Sequence, residues 1–141
     1  MIIGQAIDCY FENQKLELNQ LEFLHIHKTA KLIAASLKMG AIICEYDLQI
    51  QEKLFNFGIN LGLLFQIQDD IIDETCTSVQ AGKTTHNDSS KNSFVNLLGL
   101  DGSIKSADDL ALKCLETLNT FDSNLKESLE QLLLEYINRH K

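Results

Sequence analysis

Proline, the residue that kinks or ends a helix, is missing from all 141 positions, and glycine occurs only seven times. Long helices are therefore unobstructed, and leucine, isoleucine, lysine and glutamate fill most of the sequence between the polar stretches. With 45% hydrophobic residues there is material for a real core at this length. The chain reads as all-α, a single helical unit over 1–141 without repeats, linkers or low-complexity segments.

Periodicity then places the helices. Ile2, Ile3, Ala6, Ile7 and Tyr10 keep helical spacing from the first residues on, with no N-cap before them, which predicts a part lying upstream. Asn19, followed by Glu22, is the expected cap of the next helix, with Leu21, Leu24, Thr29, Leu32, Ala35 and Met39 facing inward. Glu45-Tyr46-Asp47 reads as a break with Asp47 as a cap. A long helix over about 48–74 follows, striped by Leu54, Phe57, Leu61, Leu64 and Phe65. Gly58 and Gly62 lie in it four residues apart, at about 1 kcal/mol each relative to alanine, so another helix is expected close against them. The polar stretch 75–92 reads as a loop. After it come a short helix ending at Gly99, a helix capped by Ser106 with Asp108 and Asp109 in its first turn, and a last helix over about 124–139. That last helix carries Leu125, Leu129, Leu132, Leu133, Tyr136 and Ile137 as its core stripe and closes on the cations Arg139, His140 and Lys141.

The long helix ends in the stretch that carries chemistry, Phe65-Gln66-Ile67-Gln68-Asp69-Asp70-Ile71-Ile72-Asp73. Residues three and four apart share a helix face, so Gln66, Asp69, Asp70 and Asp73 project to one side. Like charges so spaced destabilise a helix by roughly 0.2–0.5 kcal/mol per pair, and more where apolar neighbours withdraw the face from water. A cation should compensate them. Mg²⁺ suits, because it takes one or two carboxylates and completes its shell with water and phosphate oxygens. The plainer possibility is a solvated acidic face.

Other classes recede. A net charge of -8, from 20 acidic and 12 basic residues, argues against a nucleic-acid binder or a polybasic membrane-surface protein. No apolar run is long enough to span a bilayer, and the chain begins without a cationic leader, so a cytoplasmic protein is expected. Cys9, Cys44, Cys76 and Cys114 form no C-x-x-C and read as buried reduced thiols. His25 and His27 have no partner spacing for a metal and read as packing or surface residues.

F-Q-x-x-D-D-x-x-D at 65–73 resembles the second aspartate-rich motif of the trans-isoprenyl diphosphate synthases, the farnesyl and geranylgeranyl diphosphate synthase family. Two further segments extend the likeness: Lys28-Thr29-Ala30-Lys31-Leu32 resembles the family's K-T-x-x-L, and Gly4-Gln5 with Asp8 its G-Q-x-x-D. Gly82-Lys83 and Lys91 resemble the loop after the second aspartate motif, although the segment between the lysines is short and Val95 stands where many relatives carry proline after an aromatic.

The resemblance implies the C-terminal half of an isoprenoid-synthase-type helical bundle. It implies Mg²⁺-dependent head-to-tail condensation of an allylic diphosphate with isopentenyl diphosphate, with farnesyl diphosphate the expected product. The catalytic set would be Lys28, Thr29 and Asp69. Lys28, Lys83 and Lys91 would meet diphosphate, with Thr29 and Gln66 lining the pocket. Asp69, and to a lesser degree Asp70 and Asp73, would hold the metal. Only the second aspartate motif is present, so the partner is expected to be a second copy, as in the family's homodimers, or a half carrying the first motif. The alternatives are a fragment or a non-catalytic partner subunit of such a synthase, and another enzyme of the superfamily, a long-chain polyprenyl synthase or a class I terpene cyclase.

Overall fold

Helices make up all the regular structure of the residues described by the computed structural model, 2–11, 14–75 and 92–137. In chain order they are α1 (Ile2–Tyr10), α2 (Leu18–His25), a π turn (Ile26–Ala30), α3 (Lys31–Ile43), α4 (Leu48–Thr75), α5 (Phe94–Leu118) and α6 (Ser123–Ile137). All but the two ends of the polar stretch 75–92 lies outside the described residues, as do Cys76, Lys83, Lys91 and the terminal Arg139, His140 and Lys141.

The break before α4 forms where the sequence puts it. Glu45 adopts φ 57°, and the Asp47 carboxylate takes the Ile50 N–H at 2.9 Å, satisfying one of the orphan donors of the first turn. Asp122 caps α6 in the same way through the N–H groups of Asn124 and Leu125. The α2 start differs from the expectation. The helix begins at Leu18 rather than after Asn19, because the Gln20 amide oxygen reaches back to the Glu17 N–H at 2.9 Å.

α4 is the hub, packed by α3, α5, α6 and the π turn. Its stripe Leu54, Phe57, Leu61 and Leu64 is buried, and Phe65 packs edge-on to Tyr136 of α6 with centroids 5.5 Å apart. Burying each of these side chains contributes roughly 1.5–3 kcal/mol. Gly58 and Gly62 sit against Ala34 and Ala30, and a Cβ on either glycine would fall on the facing backbone. Small residues on both helices thus allow a close crossing, which a Lys38–Glu52 ion pair ties at its far end.

That crossing corrects the reading of α3. The inward residues are Ala30, Ala34 and Ala41, whereas Leu32 and Met39 are 55% and 60% exposed. With no side chain at Gly58 and Gly62, a small-residue face closes the gap; Ile33 and Leu37 flank it, packed against the core, while Leu32 and Met39 turn outward. Leu32, Met39, Ile42 and Ile43 form an exposed apolar stripe on α3.

α5 is also corrected. The first helical stretch ends at Gly99 as expected, in a left-handed conformation (φ 73°, ψ 169°), but the helix resumes at once and runs to Leu118. Ser106 is therefore inside it, and Asp108 and Asp109 are exposed mid-helix acids rather than first-turn ones. Ser93 is the observed cap, its hydroxyl accepting from the Asn96 N–H. Of the described cysteines only Cys114 is buried, where desolvation pushes its thiol up to about 12. Cys9 and Cys44 are exposed, against the expectation.

Candidate functional site

The α2–α3 rod was expected to be one uninterrupted helix. Instead its middle is a π turn, in which the Lys31 N–H reaches back five residues to the Ile26 carbonyl. The two residues singled out by their sequence context, Lys28 and Thr29, both lie in that turn. Tertiary packing holds it from two sides: Gly62 of α4 closes on Ala30, and Gly4 of α1 lies on the backbone of His27 and Lys28.

Thr29 faces α4. Its hydroxyl donates to the Gln66 amide oxygen at 3.2 Å. Gly58, Gly62 and Gln66 are successive members of one i, i+4 row on α4, and they meet Ala34, Ala30 and Thr29 in turn. Asp69, Asp70 and Asp73 follow Gln66 at +3, +4 and +7, so the acidic face continues beyond the crossing in the same direction. All three carboxylates are half-buried. The ammonium of the neighbouring Lys28 pairs with Asp8 of α1 at 2.5 Å.

The structure thus brings together Thr29 and Gln66, and places Asp69 and Asp73 within two turns of them on α4. Asp70 is committed in part elsewhere: its Oδ2 accepts the Phe94 N–H at 2.7 Å, tying the acidic helix to the first turn of α5. Lys83 and Lys91 lie outside the described residues. Among the described residues, no three His, Cys, Asp or Glu side chains gather into a set that could hold a metal ion. The hard oxygens of Asp69 and Asp73, four residues apart on one face, fit a cation that takes one or two carboxylates and completes its shell from water and phosphate.

One contributor escaped the sequence. Asn92 donates to the carbonyls of Phe11 and Gln14 and accepts the Leu16 N–H, stitching the α1–α2 connection to the start of α5. No local signal marks it, since all its partners are about 80 residues away in sequence. Asp8 was visible in G-Q-x-x-D, but its bond to Lys28 was not. His25 is buried and stacks on the Phe94 ring at 5.4 Å. His27 lies between the Phe23 carbonyl and the Lys31 ammonium (2.8 and 2.7 Å). A separate cavity of about 280 Å³ opens on another side of α4, lined by Asn60, Leu63 and Ile67 with Glu22, Phe94 and Lys113. It does not include Lys28, Thr29, Asp69, Asp70 or Asp73.

Comparison with known proteins gives one consistent answer. The family model for polyprenyl synthetase matches residues 1–133. The chain is 38% identical to the farnesyl diphosphate synthase of Micrococcus luteus, aligned over 100% of its own length and 49% of that protein's. It is 37% identical to the chloroplastic geranylgeranyl pyrophosphate synthase 9 of Arabidopsis thaliana, over 99% and 40% respectively. Among solved structures, the geranyltransferase from Helicobacter pylori, complexed with magnesium and isoprenyl diphosphate, superposes with a TM-score of 0.86 at 49% identity. That superposition covers 96% of this chain and 46% of the other. The chain therefore spans about half the length of the relatives it matches.

Proposed function

The chain belongs to the polyprenyl synthetase family, and from that premise we propose that it is the C-terminal half of a prenyl diphosphate synthase. The reaction is the head-to-tail condensation of an allylic diphosphate with isopentenyl diphosphate, and the product we assign is farnesyl diphosphate. A farnesyl and a geranylgeranyl synthase both stand among the relatives, so product length is what the assay must read.

The observation that carries this reading is the Thr29–Gln66 hydrogen bond, which joins the K-T-x-x-L and F-Q-x-x-D-D-x-x-D segments into one site. Ionising the allylic C–O bond releases a dense anion, so the demand on the protein is charge stabilisation at the departing oxygens. Lys28 binds the diphosphate, with Lys83 and Lys91 assigned to it from the sequence. Thr29 and Gln66 line the pocket beside the reacting carbon, and the apolar residues around them keep water from the cationic centre. Magnesium, held by Asp69 and to a lesser degree by Asp70 and Asp73, would neutralise charge on the leaving diphosphate.

The exposed α3 stripe of Leu32, Met39, Ile42 and Ile43 supports an assembly with further helices. We assign these to a second copy of the chain or to a half carrying the first aspartate motif. The same stripe favours the second reading, a non-catalytic partner subunit. No helix of the described residues is long and apolar enough to cross a membrane, and we place the protein in the cytoplasm.

Prenyl transfer by the 141-residue chain with Mg²⁺, isopentenyl diphosphate and allylic diphosphates tests the activity and reads the product length. Mg²⁺-dependent pyrophosphate binding tests the half-site alone. Asp69→Ala should abolish that binding with helix content unchanged, and undiminished binding would sink the assignment.

A further inference from the structure

α1 does more than cover the core. It buries little of its own apolar surface, with Ile2 and Ile3 85% and 68% exposed, yet it is pressed against the one irregular turn of the α2–α3 rod. The contact is made at Gly4, where the absence of a Cβ lets the helix rest on the backbone of His27 and Lys28. Asp8 follows Gly4 by one turn on the same face, and from there its carboxylate takes the Lys28 ammonium. Both side chains are about one-third exposed, at 30% and 34%, so ligand can reach the pair.

A lysine carries four rotatable bonds and about 2 kcal/mol of rotamer entropy, which a ligand must otherwise overcome in ordering it. An ammonium has three N–H donors, and Asp8 occupies one. The other two remain for phosphate oxygens while the side chain is already fixed. We propose that Asp8 is a positioning residue that pre-orders the Lys28 ammonium for diphosphate, with Gly4 setting the distance between the two helices. This rests on the reading of Lys28 as a diphosphate ligand given above.

The probe is inorganic pyrophosphate with Mg²⁺, titrated calorimetrically against the full chain and against Asp8→Ala, Asp8→Asn, Asp8→Glu, Lys28→Met and the double variant Asp8→Ala/Lys28→Met. Helix content and thermal midpoint are recorded for each. The expected result is about three- to tenfold weaker binding for Asp8→Ala, a smaller loss for Asp8→Asn and partial recovery in Asp8→Glu. In the Lys28→Met background the Asp8→Ala change should have no further effect, which a general loosening of α1 would not produce. Acetylation of Lys28, mapped by mass spectrometry, should be blocked by Mg²⁺-pyrophosphate in the unmodified chain, and in Asp8→Ala the same protection should need about three- to tenfold more ligand.

Unchanged or tighter binding in Asp8→Ala overturns the proposal, the latter because Asp8 would then be competing with the ligand. Additive losses in the double variant overturn it as well. If the unmodified chain binds no pyrophosphate, the diphosphate reading itself fails and the positioning role falls with it. A loss in Lys28→Met without one in Asp8→Ala removes the positioning role alone.

Discussion

Two irregularities interrupt the long helices, and they are held in opposite ways. At Gly99 the positive φ is one that glycine itself permits, and a Cβ there would meet nothing within 4 Å. At Ile26–Ala30 no residue demands a π turn. The sequence IHKTA carries no glycine, and the turn is gripped by Gly62 on one side and Gly4 on the other, with Thr29 and Lys28 each bonded across to a different helix. The first is a hinge written in one position. The second is a product of tertiary contacts, and it carries Lys28 and Thr29 of the candidate site.

If that contrast is right, damage to the π turn should come from outside it. Gly62→Val should have the largest effect, because the new side chain meets the Ala30 backbone and not a movable side chain. We expect a loss of about 3 kcal/mol in urea unfolding, with Mg²⁺-pyrophosphate binding lost in parallel. An unchanged unfolding midpoint would mean that the α3–α4 crossing is looser than the Gly–Ala seat requires.

The part of α5 beyond Gly99 should behave as packed core despite the kink. Its Cys114 thiol is pushed by burial from 9.0 to about 12. Between those pH values the unfolded chain has released the proton and the folded chain has kept it, so stability falls as pH rises. The expected loss is about 2–3 kcal/mol by pH 11, and Cys114→Ala should remove that share of the slope. Maleimide at neutral pH should label the exposed Cys9 and Cys44 and leave Cys114 unmodified, as read by peptide mapping.

Gly99→Ala should destabilise by about 1–3 kcal/mol, since φ 73° with ψ 169° is a conformation that essentially only glycine adopts, even with open space around it. Pyrophosphate binding should not move. The smallest effect is expected of Thr29→Val, which removes the hydroxyl bonded to Gln66 and should lower stability by about 0.5–1.5 kcal/mol. Its value lies in the comparison with Gly99→Ala: although Thr29→Val costs less stability, it alone of the two should impair prenyl transfer.

Much of the fold is readable from near neighbours. The absence of proline, the cap Asp47, the break at Gly99 and the stripe through Leu54, Phe57, Leu61 and Leu64 are all local patterns that the structure reproduces. The reading of α3 failed because it followed residue size. Leu32 and Met39 are large hydrophobes, but full burial on α3 went to Ala34 and Ala41, with Ala34 seated on Gly58 of α4. The candidate site divides in the same manner. Gln66, Asp69, Asp70 and Asp73 are visible as one helix face, whereas the Asp8–Lys28 pair and the Asp70–Phe94 bond join residues 20 and 24 positions apart in sequence.

By itself, then, the sequence determined which segments are helical, where most of them stop, and which helix carries the carboxylates, because helix period and capping act within a few residues. Only the tertiary structure decided which face of α3 is buried, that Lys28 and Thr29 occupy a π turn, and which partner each takes. Those outcomes depend on how closely two backbones approach, and that distance is set by the side chains a helix lacks at Gly4, Gly58 and Gly62 as much as by those it has.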